Sequence, residues 1–232
     1  MNKRRLIALT GAGISAESGL RTFRDSDGLW EEHRIEDVAT PEAWEKDRDL
    51  VNRFYNLRRS QLAEAKPNEA HRQLAELQES WDVRVITQNV DDLHERAGSS
   101  EVLHLHGQLT QVRCSVCEED IRDFGYSQLT RSDRCDLGHP LRPHIVWFGE
   151  PVPMIERAAR WVESADVMLV VGTSLNVYPA AGLIHYRRSD CPIILVDPDT
   201  GMKAFESQGI QVINKKATEG MTLVARMLSE LV

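Results

Sequence analysis

The sequence predicts an α/β fold in which a parallel sheet is covered by helices on both faces. Three observations predict it: short β-branched and Leu/Val-rich runs recur, one-sided helical periodicities separate them, and a glycine-rich turn follows the first run. A strand buried on both faces needs a continuous apolar run instead of an alternating one. Leu6–Thr10, Val83–Thr87, Val167–Val171, Ile193–Val196 and the shorter Gln211–Ile213 have that form. Between them, Pro67-Asn68-Glu69 opens a segment with Ala70, Leu74, Leu77 and Trp81 spaced i, i+4, i+7, i+11, a helix with its N-cap at Asn68. Pro153 to Ala165 and Thr218 to Leu231 read as helices of the same kind, each covering one sheet face.

Two stretches break the alternation and read as insertions. Residues 25–66 are dense in charge and carry Trp30, Trp44 and Phe54-Tyr55, the pattern of a loop and small helices. Residues 113–142 hold a Cys114-x-x-Cys117 pair, few large aliphatics and a Gly138-His139-Pro140 turn signal. The sheet domain is then expected to comprise residues 1–24, 67–112 and 143–232. No internal repeat or low-complexity tract is present.

Composition narrows the class. The 232 residues are 41% hydrophobic and 28% charged, which suits a soluble globular chain and excludes disorder, collagen and coiled coil. The longest uncharged apolar run, near Val167 to Val171, falls far short of the ~20 residues of a membrane span, and no targeting segment is visible. Lys and Arg number 28 against 36 Asp and Glu, a formal charge of −8 that argues against nucleic acid or an anionic membrane as partner. Four cysteines, two of them as Cys-x-x-Cys, suit reduced thiols with a metal site better than a disulfide framework, so a cytoplasmic protein is expected.

Leu6-Ile7-Ala8-Leu9-Thr10 runs into Gly11-Ala12-Gly13-Ile14-Ser15-Ala16, a Gly-x-Gly-x-x-Ala turn whose backbone N–H groups can approach a pyrophosphate at a helix N-terminus, the Rossmann-like arrangement. An ordinary crossover helix would continue; here the chain breaks at Gly19 and offers Leu20-Arg21-Thr22-Phe23-Arg24. This run resembles the signature of the sirtuins, NAD-consuming protein lysine deacylases. Further segments agree in order: Thr87-Gln88-Asn89-Val90-Asp91-Asp92-Leu93-His94, Leu105-His106-Gly107, Leu141-Arg142-Pro143-His144-Ile145-Val146-Trp147-Phe148-Gly149-Glu150, and Val171-Gly172-Thr173-Ser174-Leu175 with Val177 and Pro179. The matches span Gly11 to Pro198.

The resemblance implies NAD as co-substrate, held by Gly11, Ala12, Gly13, Ser15, Phe23, Arg24, Gln88, Asn89, Asp91, Gly172, Thr173, Ser174 and Asp197. At Asp197 the family more usually has Asn; a carboxylate can still bond ribose hydroxyls. In the implied reaction the acyl-lysine carbonyl oxygen attacks the ribose carbon as nicotinamide leaves, and a base takes a proton from a ribose hydroxyl. Neutral imidazole suits that base. Periodicity alone leaves His104 and His106 open, because on a strand the two point to one face; the family motif favours His106, the histidine before glycine. Asn89, the second implied catalytic residue, can hold the ribose or a water without adding charge. Asp91 can order the nicotinamide carboxamide, and Phe23 can shield the reacting face. Leu141 to Glu150 resembles the family's substrate-binding strand, with Val146, Phe148 and Gly149 the implied edge on which a substrate peptide adds as a further strand.

Tyr55 and Arg58 lie three apart, on one helical face, where a guanidinium fork and a phenol can bind a carboxylate. The pair resembles the Tyr-x-x-Arg pattern of the sirtuin subgroup that removes succinyl and malonyl groups. The family's structural zinc takes two Cys-x-x-Cys pairs, but here Cys114, Cys117 and Cys135 lack a fourth cysteine. Either His139 completes a Cys3His site or the zinc-ribbon-like insertion has lost its metal. The expected protein is therefore a monomeric NAD-dependent deacylase acting on acyl-lysine proteins or peptides, most readily on succinyl- or malonyl-lysine and more weakly on acetyl-lysine. Its products are nicotinamide, O-acyl-ADP-ribose and free lysine. The rival readings are a deacetylase without acidic preference, a hydride-transferring dehydrogenase, an NAD-sensing binding module and, as a side activity, ADP-ribosyl transfer.

Overall fold

In a computed structural model, residues 3–20, 29–30, 33–117 and 120–231 are described. The chain runs β1 (Arg5–Thr10), α1 (Ala12–Ser15), β2 (Leu29–Trp30), β3 (His33–Arg34), α2 (Ile35–Val38), α3 (Pro41–Lys46), α4 (Arg48–Glu64), α5 (Glu69–Glu76) and β4 (Asp82–Thr87). It continues through α6 (Leu93–Ala97), β5 (Val102–His104), β6 (Gly107–Cys114), β7 (Ile121–Asp123), β8 (Leu141–Ile145), α7 (Ile155–Glu163), β9 (Val167–Val171), β10 (Ile193–Val196), β11 (Gln211–Ile213) and α8 (Ala217–Ser229).

Six strands form one parallel sheet in the order β11-β10-β9-β1-β4-β5. All five strands expected from the sequence are present, and β5 adds the sixth. Alternate residues of each strand serve opposite faces. Ile7, Leu9, Met168, Val170, Ile193 and Leu195 pack with Ala158, Trp161 and Val162 of α7. Leu6, Ala8, Val167, Leu169, Ile194 and Val196 pack with Leu74 of α5 and with Met221, Val224 and Leu228 of α8. Two-sided burial is why the strands read as continuous apolar runs.

The first insertion differs from a loop with small helices: it contains α4, 17 residues long. Its periodicity is hidden because Asn52, Arg58 and Arg59 are buried on it alongside Val51, Phe54, Tyr55 and Leu62, so polar letters stand at core positions. These residues share a core with Leu109 of β6, Ile145 of β8 and Trp147. The second insertion is built on the antiparallel sheet β7-β6-β8 with its own small core of Val112, Cys114, Leu129, Cys135 and Leu141. The segment expected to be a strand up to Glu150 ends earlier, at Ile145. Gly149 takes φ +90° and the Glu150 N–H closes a turn on the Trp147 carbonyl at 3.0 Å, which the extended backbone of a strand cannot do.

From β1 the chain builds outward through β4 and β5, then returns to the other side for β9, β10 and β11. The order therefore reverses between β1 and β9, the position where open α/β sheets bind ligands. There the turn after β1 and the turn after β9 touch through backbone: the Gly11 N–H donates to the Val171 carbonyl at 3.0 Å and the Gly13 N–H to that of Gly172 at 2.8 Å. A Cβ on Gly13 would lie 2.7 Å from the Gly172 Cα, and one on Gly172, at φ +64°, 2.3 Å from the Ile14 nitrogen. Gly172→Ala is expected to lower the unfolding free energy by about 2 kcal/mol or more, since the strain falls on backbone that cannot rotate away. Urea denaturation measures it; an unchanged midpoint would mean that the turns separate without penalty.

Candidate active site

The sheet delivers residues of four loops to the carboxyl end of β1. Ser15, at the end of α1, is buried and is the hub of a polar network. Its hydroxyl donates to Asp91 Oδ2 at 2.9 Å, accepts from Asn89 Nδ2 at 3.1 Å and lies 3.4 Å from His71 Nε2. Asn89 Nδ2 also reaches the Gly11 carbonyl at 3.2 Å, and the Leu93 N–H donates to Asp91 Oδ1 at 3.2 Å. Burial raises the Asp91 pKa, opposed by the Ser15 and Leu93 donors. Gln88 donates from Nε2 to Thr173 Oγ1 at 3.0 Å, joining the loop after β4 to the loop after β9. Ala12 and Ser174 flank this crevice on the two turns, and Asp197 stands at the end of the next strand, β10, where its Oδ1 accepts from the Asp199 N–H at 2.9 Å. Phe23 and Arg24 lie outside the described residues.

The two candidate histidines are separated by their partners. Both nitrogens of His104 face acceptors: Nδ1 lies 3.0 Å from the Asn89 carbonyl and Nε2 2.7 Å from Glu95 Oε1. Burial works against the charged ring, but the Glu95 carboxylate outweighs it and the pKa is raised. With both nitrogens engaged inside the fold, neither is open to a substrate proton. His106 is half-buried and donates only from Nδ1, to the Gln88 carbonyl at 2.9 Å. Burial lowers its pKa, with the Gln88 carbonyl opposing, so neutral His106 keeps a basic Nε2. The following Gly107 is obligatory: at φ +78°, a Cβ there would sit 2.0 Å from the His144 carbonyl oxygen.

Beyond Ile145 the chain passes between His106 and the helical insertion. The Val146 N–H donates to the His106 carbonyl at 3.0 Å and the Phe148 N–H to that of Ala39 at 3.0 Å. Trp147 is buried; Val146 and Phe148, on the other side, are half-buried and exposed, and Gly149 is exposed. Trp147 Nε1 donates to the Tyr55 hydroxyl at 3.0 Å, while the Arg142 guanidinium stacks 3.4 Å from the Trp147 ring and grips both oxygens of Glu150 at 2.7 and 3.0 Å. Tyr55 and Arg58 are both buried on α4 and electrostatically coupled. Burial pushes Tyr55 ionisation well above the usual range, so its proton is retained.

Cys114, Cys117, Cys135 and His139 converge, their donor atoms all within 4.8 Å of one another. The Val116 and Cys117 N–H groups donate to Cys114 Sγ at 3.3 and 3.1 Å. Burial opposes ionisation of Cys114, yet these donors and the neighbouring thiols bring its pKa down to about 7. Tetrahedral zinc, with bonds of about 2.0–2.3 Å, accepts three sulfurs and one imidazole at such separations. The set therefore fits a Cys3His zinc site.

Sequence reasoning missed His71 and His94. Asn68 caps α5 as expected, and His71 completes a capping box from the third helical position while reaching Ser15 with its other nitrogen. His94 Nε2 meets Thr10 Oγ1 at 3.0 Å, and the two rings pack edge to face at 4.9 Å. The one available signal was the histidine at the capping-box position.

Fold and site together define an α/β protein that receives a dinucleotide where its sheet reverses, on glycine turns that a Cβ would fill. The Sir2 family pattern matches residues 11–179. The NAD-dependent protein deacylase of Bacteroides thetaiotaomicron is 50% identical over 97% of this chain and 98% of its own. That of Helicobacter pylori is 47% identical over 98% and 99%. A Sir2 homologue solved with NAD superposes at TM-score 0.86 and 42% identity, covering 99% of this chain and 91% of that one. A variant of a Sir2 homologue with ADP-ribose gives 0.88 and 42%, over 99% and 93%. The chain belongs to the Sir2 family. It is a NAD-dependent protein deacylase, and among the described residues no helix is long and apolar enough to cross a membrane.

Burial holds the His71 pKa near 4, below its ordinary 6.5, with Arg72 adding to the effect. The folded state thus excludes a proton that the unfolded chain binds, so this stability is complete above about pH 6.5 and is lost as pH falls toward 4. Urea unfolding is expected to give about 2 kcal/mol less stability near pH 5 than near pH 7.5 from His71 alone. His71→Gln should flatten that slope; an equal slope in both proteins would reject the assignment.

Proposed function

We propose that this deacylase preferentially removes acidic acyl groups, succinyl and malonyl, from lysine and acts more weakly on acetyl-lysine, with nicotinamide, O-acyl-ADP-ribose and free lysine as products. The observation that carries the reading is the buried Tyr55/Arg58 pair, whose phenol is held by Trp147 of the Val146–Phe148 segment. In this reading Val146 and Phe148 wall a tunnel for the acyl-lysine side chain, and the acyl group that passes it is bound by the phenol and guanidinium. A distal carboxylate would take a bidentate bond from Arg58 and a third from the Tyr55 O–H.

NAD supplies the ribose carbon whose bond to nicotinamide breaks. The backbone N–H groups of the Gly11–Ser15 turn and the loops at Gln88, Gly172–Ser174 and Asp197 would hold it, with Phe23 and Arg24 completing the proposed cofactor set. His106 Nε2 accepts the ribose hydroxyl proton, its ring fixed by the Gln88 carbonyl. Asn89 holds the ribose, and Ser15 fixes its amide. Asp91, both oxygens engaged by Ser15 and Leu93, orders the carboxamide end of the site. Val146, Phe148 and Gly149 receive the substrate main chain, which leaves selection to the acyl group. The reading extends to a monomeric cytoplasmic enzyme without nucleic-acid or membrane partners, in keeping with its charge of −8. It divides the chain into a sheet domain (1–24, 67–112 and 143–232), a cofactor loop and helical insertion (25–66) and a zinc-ribbon-like insertion (113–142).

The test is mass spectrometry of one peptide carrying succinyl-, malonyl- or acetyl-lysine, with and without NAD. Succinyl and malonyl should be lost faster, only with NAD, and His106→Gln should abolish turnover. Arg58→Met should cut kcat/KM for succinyl by about 10- to 100-fold, the worth of charged hydrogen bonds, and leave acetyl nearly unchanged. Full desuccinylase activity in that variant would reject the pocket. Native mass spectrometry should find one zinc per chain, displaced in Cys135→Ser; a metal-free, equally stable wild type would reject the Cys3His site.

A further inference from the structure

We propose that Asn56 and Arg59 are positioning residues for acyl selectivity, because they fasten the helix that presents Tyr55 and Arg58 to the Cys-bearing insertion. Each follows one of the pair by one position, about 100° further round α4. Asn56 makes a two-way clamp with Leu129: its Nδ2 donates to the Leu129 carbonyl at 2.9 Å and its Oδ1 accepts from the Leu129 N–H at 2.8 Å. That clamp replaces the pairing of a strand edge with one side chain. Leu129 is buried in the same small core as Cys114 and Cys135.

Arg59 ties the same helix to β6. Its Nε donates to the Leu109 carbonyl at 2.6 Å and its NH1 to Asn56 Oδ1 at 3.0 Å, while the guanidinium lies 5.6 Å from the Phe124 ring centroid. The side chain is fully buried, and its remaining nitrogen has no partner among the described residues. Burial draws its pKa down to about 10. A buried cation without a carboxylate is costly, and Met or Leu would serve packing at less cost. What it uniquely supplies is a tie from α4 to the Leu109 carbonyl of β6, braced by Asn56 and the Phe124 ring.

Bidentate binding of a carboxylate tolerates little rotation of the guanidinium, whereas an acetyl group has nothing to align with it; a misplacement of about 1 Å can cost on the order of a hundredfold. Loosening α4 should therefore weaken acidic substrates selectively. This rests on the reading of Tyr55 and Arg58 above, so wild-type preference is measured first. With Asn56→Ala, KM for a succinyl-lysine peptide is expected to rise about tenfold, with kcat and both acetyl constants within about twofold. Asn56→Asp keeps the acceptor for Leu129 and Arg59 and should restore most of the preference; Arg59→Gln should behave as Asn56→Ala does. Melting midpoints and zinc content identify any variant that fails to fold, and Asn56→Asp then carries the comparison against Asn56→Ala. A wild type without succinyl preference overturns the inference together with the acyl-pocket reading. A wild type with the preference, and variants that keep it or lose both acyl activities in parallel, overturns the inference alone.

Discussion

The structure depends on one close approach: two backbone turns, after β1 and after β9, touch with no side chain between them. The sheet reverses its order at this seam, so the connections leaving β1 and β9 run to opposite sides, the arrangement that opens a ligand crevice in such sheets. Had either turn carried a Cβ, the Gly11 and Gly13 bonds to Val171 and Gly172 could not form at 3.0 and 2.8 Å, and the crevice floor would be side chain instead of amide. Sheet order, glycine placement and the dinucleotide site are thus one constraint seen at three scales. Close packing continues behind it, where Gly220 of α8 lies so near β10 that a Cβ would fall 2.2 Å from Val196 Cγ1.

Directly under the seam the interior is polar. Thr10, Ser15, His71, Asn89, Asp91 and His94 are all buried and joined, which burial makes costly unless every donor finds an acceptor. Most do, and the network has a direction. Asn89 Nδ2 donates to the Ser15 hydroxyl, which in turn donates to Asp91, while His71 faces Ser15 with Nε2 at 3.4 Å and Asn68 with Nδ1. His94 Nδ1 is the exception, buried and unpartnered among the described residues. Neutral rings are what burial selects here, so the network orients groups around the crevice without adding cationic charge beneath it.

The sheet was legible because its strands are buried on both faces and so are written in uninterrupted apolar letters. α4 was less legible for the opposite reason: buried Asn52, Arg58 and Arg59 put polar letters where a core-facing stripe should be, and only the Tyr55/Arg58 spacing hinted at a helix. The strand through Glu150 was over-read because Val146, Trp147 and Phe148 have strand chemistry while the left-handed Gly149 ends it. At the site the glycine turn showed itself by spacing. His104 and His106 could not be told apart by period, since both bond neighbouring carbonyls of one loop, those of Asn89 and Gln88. What separates them is Glu95, nine residues away, and no periodicity reports that.

The same contrast explains how the molecule divides its labour. The dinucleotide crevice is made mostly of main chain and short polar side chains on a sheet that cannot shift without breaking its register, as suits a ligand that is always the same. The helical insertion is tied to the rest of the molecule through single bonds, such as Phe148 N–H to the Ala39 carbonyl, and through side-chain clamps that begin on α4. Side chains can be exchanged one at a time while the sheet stays intact. In the proposed reading, selectivity for the acyl group is placed where substitution is cheap, and chemistry where it is not. Tyr55 belongs to both halves: it lies on the exchangeable helix, yet its hydroxyl is held by Trp147, whose backbone neighbours bond His106 and Ala39. Through that residue a change in the proposed acyl pocket would reach the Val146–Phe148 segment while leaving the glycine turns untouched.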